Sequence, residues 1–221
     1  MTATLAVMAR APVPGRCKTR LAAGLGPVGA AALYRAMLLD SLAALARIPA
    51  VRRVVMAAPE DDGVAALGAL AREVGGDWSI VPQHGEGLGA RLLATLTALT
   101  ADGEPVVLLD SDSPTLPVAA LSAALPSLGG THALLGPCDD GGYWALGAPR
   151  AEPGLFDGVP WSTAEVAPAT RARMRMLEWT WTELPTCFDV DEPGDVERLR
   201  AALRADPSCA PRSAAWLERA R

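Results

Sequence analysis

Apolar and polar positions follow two alternating periods along this 221-residue chain. Short runs rich in Val, Leu and Ala read as buried strands at Ala3–Ala9, Arg53–Ala58, Trp78–Pro82 and Pro105–Leu109. Between them the apolar positions recur every three or four residues. Leu38, Leu42 and Leu45 mark a helix over Gly26–Arg47, opened by Pro27. Further helices are predicted over Asp61–Val74, Leu88–Thr100 and Pro117–Leu128. The second half is mixed. His132–Leu135 and Tyr143–Leu146 read as strands, Thr163–Leu177 as a helix capped by Thr163, and Glu178–Leu184 as an alternating strand. Pro193–Ala205 and Pro211–Arg219 read as closing helices. Strands alternating with helices imply an α/β fold around a mostly parallel sheet, with right-handed crossovers placing helices on both faces. Ligands of such sheets bind outside the carboxyl ends of the strands. No repeat or low-complexity linker divides the chain.

Composition narrows the class. Half of the residues are apolar and 20% are charged, which excludes wholesale disorder. The net charge of −5 argues against a nucleic-acid partner. The first nine residues lack a basic start, and their apolar run is too short for a signal peptide, so a cytoplasmic protein is expected. The longest uncharged stretch, Ser113–Cys138, is broken by prolines and glycines, so no membrane span is expected. The four cysteines (Cys17, Cys138, Cys187, Cys209) form no C-x-x-C pair, which argues against a zinc site. Trp179 and Trp181 share one face of an alternating strand and suit either the core or a homodimer interface.

Charge is concentrated where strands end. Arg10, Arg16, Lys18 and Arg20 place four cations in the eleven residues after the first strand, in a loop stiffened by Pro12, Pro14 and Gly15. Lys18 is the only lysine among 20 basic residues. Such a loop suits a polyphosphate, with arginine giving paired contacts and lysine a point charge. A solvated basic turn is the alternative. Asp110-Ser-Asp112-Ser-Pro114 follows an apolar strand. Carboxylates at i and i+2 of an extended chain point the same way, which suits Mg²⁺ or Mn²⁺ bridging to a diphosphate. A turn capping the next helix explains it equally.

Asp139-Asp140-Gly141-Gly142-Tyr143 lets a ligand approach the backbone, and a carboxylate there could act as a general base. It is also a hairpin turn. Asp189-Val-Asp191 precedes the helix opened by Pro193 and offers either a late metal ligand or a helix cap. The loop from Gln83 to Gly89, containing Gly87, suits a nucleobase edge or a plain turn. Trp161-Ser162-Thr163 could present an aromatic wall to an acceptor.

Taken in order, Ala9–Leu21, Asp110–Pro114, Asp139–Tyr143, Pro160–Thr163 and Phe188–Asp195 resemble the DUF2064 family. This is a group of glycosyltransferase-like proteins with a GT-A fold, within the nucleotide-diphospho-sugar transferase superfamily. It is similar also to molybdenum-cofactor nucleotidyltransferases and phospholactate guanylyltransferases. The resemblance covers roughly Leu5 to Leu203 and implies a single GT-A domain over 1–221, a three-layer sandwich. Its nucleotide-binding half would span about 1–115, its acceptor half about 116–206, with a short terminal helix at 211–219.

The resemblance further implies that Arg10, Gly15, Arg16, Lys18 and Arg20 hold phosphates, with Gln83 and Gly87 near the base. Asp112 and Asp191, with Asp110 and Asp189 beside them, would bind Mg²⁺ or Mn²⁺. Asp139, Asp140, Gly141, Gly142, Tyr143, Trp161, Ser162 and Thr163 would face the acceptor, and Lys18, Asp112 and Asp140 would be catalytic. The expected activity is glycosyl transfer from a nucleotide-diphospho-sugar to a small-molecule acceptor. Nucleotidyl transfer from a nucleoside triphosphate is the alternative, and a non-catalytic nucleotide-binding module is a third. The Pro-Val-Pro-Gly loop replaces the superfamily's glycine-rich signature and leaves the donor open.

Overall fold

A sheet of seven strands organises the chain, in the order β3-β2-β1-β4-β6-β5-β7. The computed structural model describes residues 2–59 and 62–220. The strands are β1 (Thr4–Arg10), β2 (Arg52–Ala58), β3 (Trp78–Pro82), β4 (Val106–Leu109), β5 (His132–Pro137), β6 (Tyr143–Ala148) and β7 (Thr180–Glu183). Strands β1 to β4 are parallel, and β5 is parallel to β7. Among the described residues, β6 is the strand that runs against its neighbours, β4 and β5. The two-residue period of a strand cannot announce that reversal, but the short connection through Asp139, Asp140, Gly141 and Gly142 between β5 and β6 permits it.

The helices are α1 (Ala22–Leu45), α2 (Asp62–Val74), α3 (Gly87–Leu99), α4 (Val118–Ala124), α5 (Val166–Met176), α6 (Pro193–Ala205) and α7 (Pro211–Arg219). The predicted start of α2 at Asp61 lies outside the described residues. Helix α1 starts earlier than predicted and bends at Gly26, whose φ of 68° interrupts it just before Pro27. By length and composition α1 could cross a membrane, but its apolar stretch is mostly packed inside the protein. Helix α5 begins at Val166 rather than Thr163. Ser162 takes a left-handed φ of 64°, and the Thr163 hydroxyl accepts from the Glu165 N–H in a turn instead of capping the helix.

Burial alternates along the central strands as the pleat requires. Leu5, Val7, Val55, Val107 and Leu109 pack under α1, α2 and α4. Ala6, Val54, Met56, Val106 and Leu108 pack on the opposite face under α3 and α5. The result is a three-layer sandwich with a mostly parallel sheet. A third cluster joins α1 to α6 and α7. There the buried Asp40 carboxylate of α1 accepts from the Arg212 N–H, the Ser213 N–H and the Ser213 hydroxyl at the start of α7. Trp179 is buried in the second cluster, and Trp181 is half-buried against it.

Strand β1 is the point where the chain order reverses, with β2 on one side and β4 on the other. Open α/β sheets form a crevice at such a point, outside the carboxyl ends.

Candidate active site

The loop after β1 is folded on itself. The Arg16 N–H donates to the Val13 carbonyl, and the Cys17 thiol reaches the same oxygen. Gly15 turns the chain with a φ of 76°, and Lys18 holds a left-handed φ of 46° that is uncommon for a residue with a side chain. That turn aims Lys18 inward. Its side chain is only 7% exposed, and Nζ lies 2.5 Å from Asp112 Oδ2 and 3.1 Å from Asp191 Oδ1. Arg20, on the rim, donates to the second Asp191 oxygen at 2.9 Å. Asp112 and Asp191 therefore do converge, and the cation between them is the Lys18 ammonium.

Backbone geometry explains the convergence. The Val190 N–H donates to the Asp112 carbonyl, lacing the two Asp-x-Asp segments together. Val190 is fully buried beside α1, so its neighbours Asp189 and Asp191 face the crevice. Asp195, at the first turn of α6, accepts from the Asp191 and Glu192 N–H groups, completing a reciprocal cap that fixes Asp191.

Burial opposes the Lys18 charge, but Asp112 and Asp191 outweigh it and raise its pKa well above the usual lysine value. Burial raises the Asp110 carboxyl well above its ordinary value, and the Asp112 charge adds to this. One Asp110 oxygen accepts from the Ser113 hydroxyl at 2.5 Å, while Oδ1 is sequestered without a partner among the described residues. The Asp189 carboxyl is pushed up to about 6 by burial, then by the Asp112 and Asp140 charges. Four carboxylates and one ammonium thus crowd the crevice, and a sequestered carboxylate oxygen without a donor is costly. Asp112 and Asp191, backed by Asp110 and Asp189, have the all-oxygen donor set that a hard divalent cation requires.

Two cavities meet at this cluster. One, of 260 Å³, is lined by Arg10, Lys18, Tyr34, Gln83, Leu88, Arg91, Ser111, Asp112 and Asp191, among others. The other, of 420 Å³, includes Arg20, Asp110, Cys138, Asp140, Gly142, Tyr143, Trp161, Ser162, Thr163 and Asp189. Leu88, Asp112 and Asp191 border both. In the first cavity the Tyr34 hydroxyl accepts from the Arg10 N–H and shares a hydrogen bond with Ser111, and burial pushes its pKa up to about 12. Gln83 donates its amide to the Ala9 and Met56 carbonyls, so it finishes β1 and β2 as well as lining the cavity.

In the second cavity the β5–β6 turn is both a hairpin and a wall. Gly141, with a φ of 92°, packs so closely that a Cβ would lie 2.1 Å from the Ala164 carbonyl oxygen. Asp140 accepts from the Gly142 N–H at 2.8 Å, and Trp161 lies over Gly89 of α3. Some expected residues lie aside. Arg16 and Gly15 line neither cavity, Gly87 turns the chain into α3 without lining either, and Asp139 pairs with Arg198 of α6. Arg91, Tyr34, Ser111 and Cys138 were missed by sequence reasoning. Arg91 had a readable signal, since it lies one turn beyond Gly87, where α3 leaves the strand end.

Comparison with known proteins supplies the family. Residues 41–163, more than half of the chain, match the family described as uncharacterized proteins conserved in bacteria (DUF2064). A structure from Desulfovibrio desulfuricans G20, assigned to the nucleotide-diphospho-sugar transferases, is 30% identical with a TM-score of 0.85, covering 99% of this chain and 95% of that one. A phosphoenolpyruvate guanylyltransferase of Mycolicibacterium gilvum (strain PYR-GCK) is 33% identical over 108 residues, 49% of this chain and 50% of the relative. The match thus spans about half the length of that curated relative. A 4-diphosphocytidyl-2C-methyl-D-erythritol synthase from Anaerococcus prevotii DSM 20548 shares the fold alone, at 10% identity and a TM-score of 0.58, with 92% and 96% of the two chains covered. The chain belongs to the DUF2064 family.

Proposed function

We propose that this chain is a transferase that moves a glycosyl group from a nucleotide-diphospho-sugar to the hydroxyl of a neutral small molecule. The observation that carries this reading is the division of charge between the two cavities. Arg10, Lys18 and Arg91 line the smaller one against only the shared Asp112 and Asp191, a suitable seat for a diphosphate. Asp110, Asp112, Asp140, Asp189 and Asp191 line the larger one, with Arg20 as its sole cation among the described residues. A phosphorylated acceptor would meet repulsion there, whereas a hydroxyl meets hydrogen-bond acceptors.

On this reading the half up to about residue 115 holds the donor, residues about 116–206 hold the acceptor, and α7 braces α1. Arg10, Lys18 and Arg20 hold the phosphates, while Gln83 and the chain at Gly87 border the base. Trp161, Ser162, Thr163, Tyr143 and the Gly141-Gly142 turn shape the acceptor's seat. The acceptor oxygen bonds to the anomeric carbon, the bond to the diphosphate oxygen breaks, and the acceptor proton passes to Asp140. Mg²⁺ or Mn²⁺, held by Asp112 and Asp191 with Asp110 and Asp189, would supply charge neutralisation for the diphosphate. Lys18 and Arg20 stabilise that same charge from the protein side.

Nucleotidyl transfer from a nucleoside triphosphate is a second reading. It is favoured by Arg10, Lys18 and Arg20 of the loop after β1, which border the two cavities, and by the likeness to a guanylyltransferase. Separate incubations with nucleotide sugars and nucleoside triphosphates, each with Mn²⁺ and an acceptor panel, distinguish the two. Release of nucleoside diphosphate supports glycosyl transfer, and pyrophosphate release supports nucleotidyl transfer. Tight, metal-independent nucleotide binding without turnover would instead mark a binding module.

A further inference from the structure

An apolar recess adjoins the acceptor cavity. It has a volume of 110 Å³ and is lined by Met8 of β1, Leu92 of α3, Leu108 and Leu109 of β4, and Trp144 of β6. Leu88, Asp110 and Tyr143 complete it, and the same three residues line the acceptor cavity. Asp110 apart, the lining carries no charge among the described residues. Hydrocarbon-lined cavities stay dry and take apolar guests, benzene in one of about 150 Å³. A smaller recess suits a smaller apolar group.

A second observation comes from the rim. Leu88, in the first turn of α3, is 48% exposed, yet it borders both cavities and the recess. Next to it, Gly89 lies so close under Trp161 that a Cβ would meet the indole nitrogen at 2.7 Å. The indole is thereby seated against α3. Leu88, Trp161 and Tyr143 give the acceptor cavity an apolar lining apart from its carboxylates. Exposed apolar surface in a concave site is removed from water when a ligand's hydrocarbon covers it.

We propose that the acceptor is an alcohol with a hydrocarbon arm, whose hydroxyl reaches the carboxylates while a short alkyl branch passes over Leu88 into the recess. This rests on the larger cavity being the acceptor's seat, whichever group is transferred to it. An acceptor hydroxylated throughout, such as a free sugar, would leave the recess empty, and a hydroxyl forced into it would lose its water partners. The acceptor rather than the donor is the source of the alkyl group, because the recess shares three lining residues with the acceptor cavity and only Met8 and Leu88 with the diphosphate cavity.

The test uses the full chain with labelled leucine methyls, titrated with the linear alcohols from ethanol to hexanol. Signals of Leu92 and Leu108 should shift saturably. Affinity should rise about fourfold per added methylene until the recess is full, then level off. Leu92→Phe fills the recess from a position that borders neither cavity, and should abolish the gain with chain length, read at Leu108. Leu88→Ser should weaken pentanol binding about threefold or more. No shift at Leu92 and Leu108, a flat dependence on chain length, or its retention in Leu92→Phe would overturn the proposal. If Leu92→Phe does not fold, Leu88→Ser decides, because Leu88 is exposed; unchanged pentanol affinity then overturns it. Shifts of the same methyls with dTDP-rhamnose, a deoxysugar nucleotide, and none with the alcohols would assign the recess to the donor and overturn it equally. A wrong assignment of the transferred group shows instead as pyrophosphate release in the incubations above, and leaves these binding readouts unchanged.

Discussion

Lys18 and Asp189 sit in one crevice and respond to pH in different ranges. The raised Lys18 value means that its ion pairs contribute fully below the ordinary lysine pKa of 10.5 and are lost only as pH rises through the still higher folded value. Changes around neutrality leave that contribution intact. Lys18→Ala should weaken nucleotide binding by about 1.5–3 kcal/mol, the scale of a lost charged hydrogen bond. Calorimetric titration reads this directly, and an unchanged dissociation constant would reduce the loop to a surface turn. Asp189 follows the same sign in a much lower range. Its folded value of about 6 exceeds the ordinary 3.8, so the stability it allows when protonated, present below 3.8, is lost as pH rises through 6. Metal-free Asp189→Asn should therefore melt above the parent at about pH 7.5 and level with it at about pH 3.5. A melting curve that does not shift at the higher pH would contradict this account.

At the scale of elements, the cap of α6 links stability to the site. Asp195 holds the Asp191 and Glu192 N–H groups, so Asp195→Ala should cost about 1 kcal/mol and loosen Asp191. Denaturant melts measure the first effect, and the affinity for Mn²⁺ the second. Gly141→Ala should cost more than about 2 kcal/mol, because a Cβ would meet the Ala164 carbonyl on a backbone already at positive φ. Nucleotide binding should survive that change, since the turn carrying Gly141 borders the other cavity through Asp140 and Gly142. Calorimetry on a folded variant that had lost nucleotide affinity would refute the separation of the two cavities.

Most strands and helices were legible because their apolar spacing is strong and their caps are explicit, as at Pro193 and Pro211. The start of α5 was not, because a threonine closing a turn and a threonine capping a helix look alike in sequence. The direction of β6 was hidden because a two-residue period carries no polarity.

Across the whole molecule, the site draws on segments far apart in sequence. Lys18, Asp112 and Asp191 were each readable as chemistry-bearing residues at element ends. That Asp112 and Asp191 converge was expected of strand ends in a parallel sheet, but for a shared Mg²⁺ or Mn²⁺. That the Lys18 ammonium lies between them was not readable, because only the left-handed turn at Lys18 aims it there. Cys138 escaped notice because a lone thiol in sequence carries no spacing signal. The α1–α7 junction is similarly nonlocal. Asp40 is fully buried and receives charge-assisted hydrogen bonds from Arg212 and Ser213. Asp40→Ala should free α7 and destabilise the fold by about 3–5 kcal/mol, the range for breaking a buried charged network. Hydrogen exchange should then quicken in α7 before the central strands, and uniform exchange would show that α7 is not a separable unit.

The ammonium seated between Asp112 and Asp191 makes the crevice an ion exchanger. A divalent cation entering there must evict a tethered Lys18, so its apparent affinity is a difference between two binding free energies rather than a coordination energy alone. The fold already carries its own counter-ion, and EDTA should leave the melting temperature unchanged. Lys18→Met removes the incumbent. In that variant Mg²⁺ should raise the melting temperature in proportion to the logarithm of its concentration, as expected for a ligand that binds only the folded state.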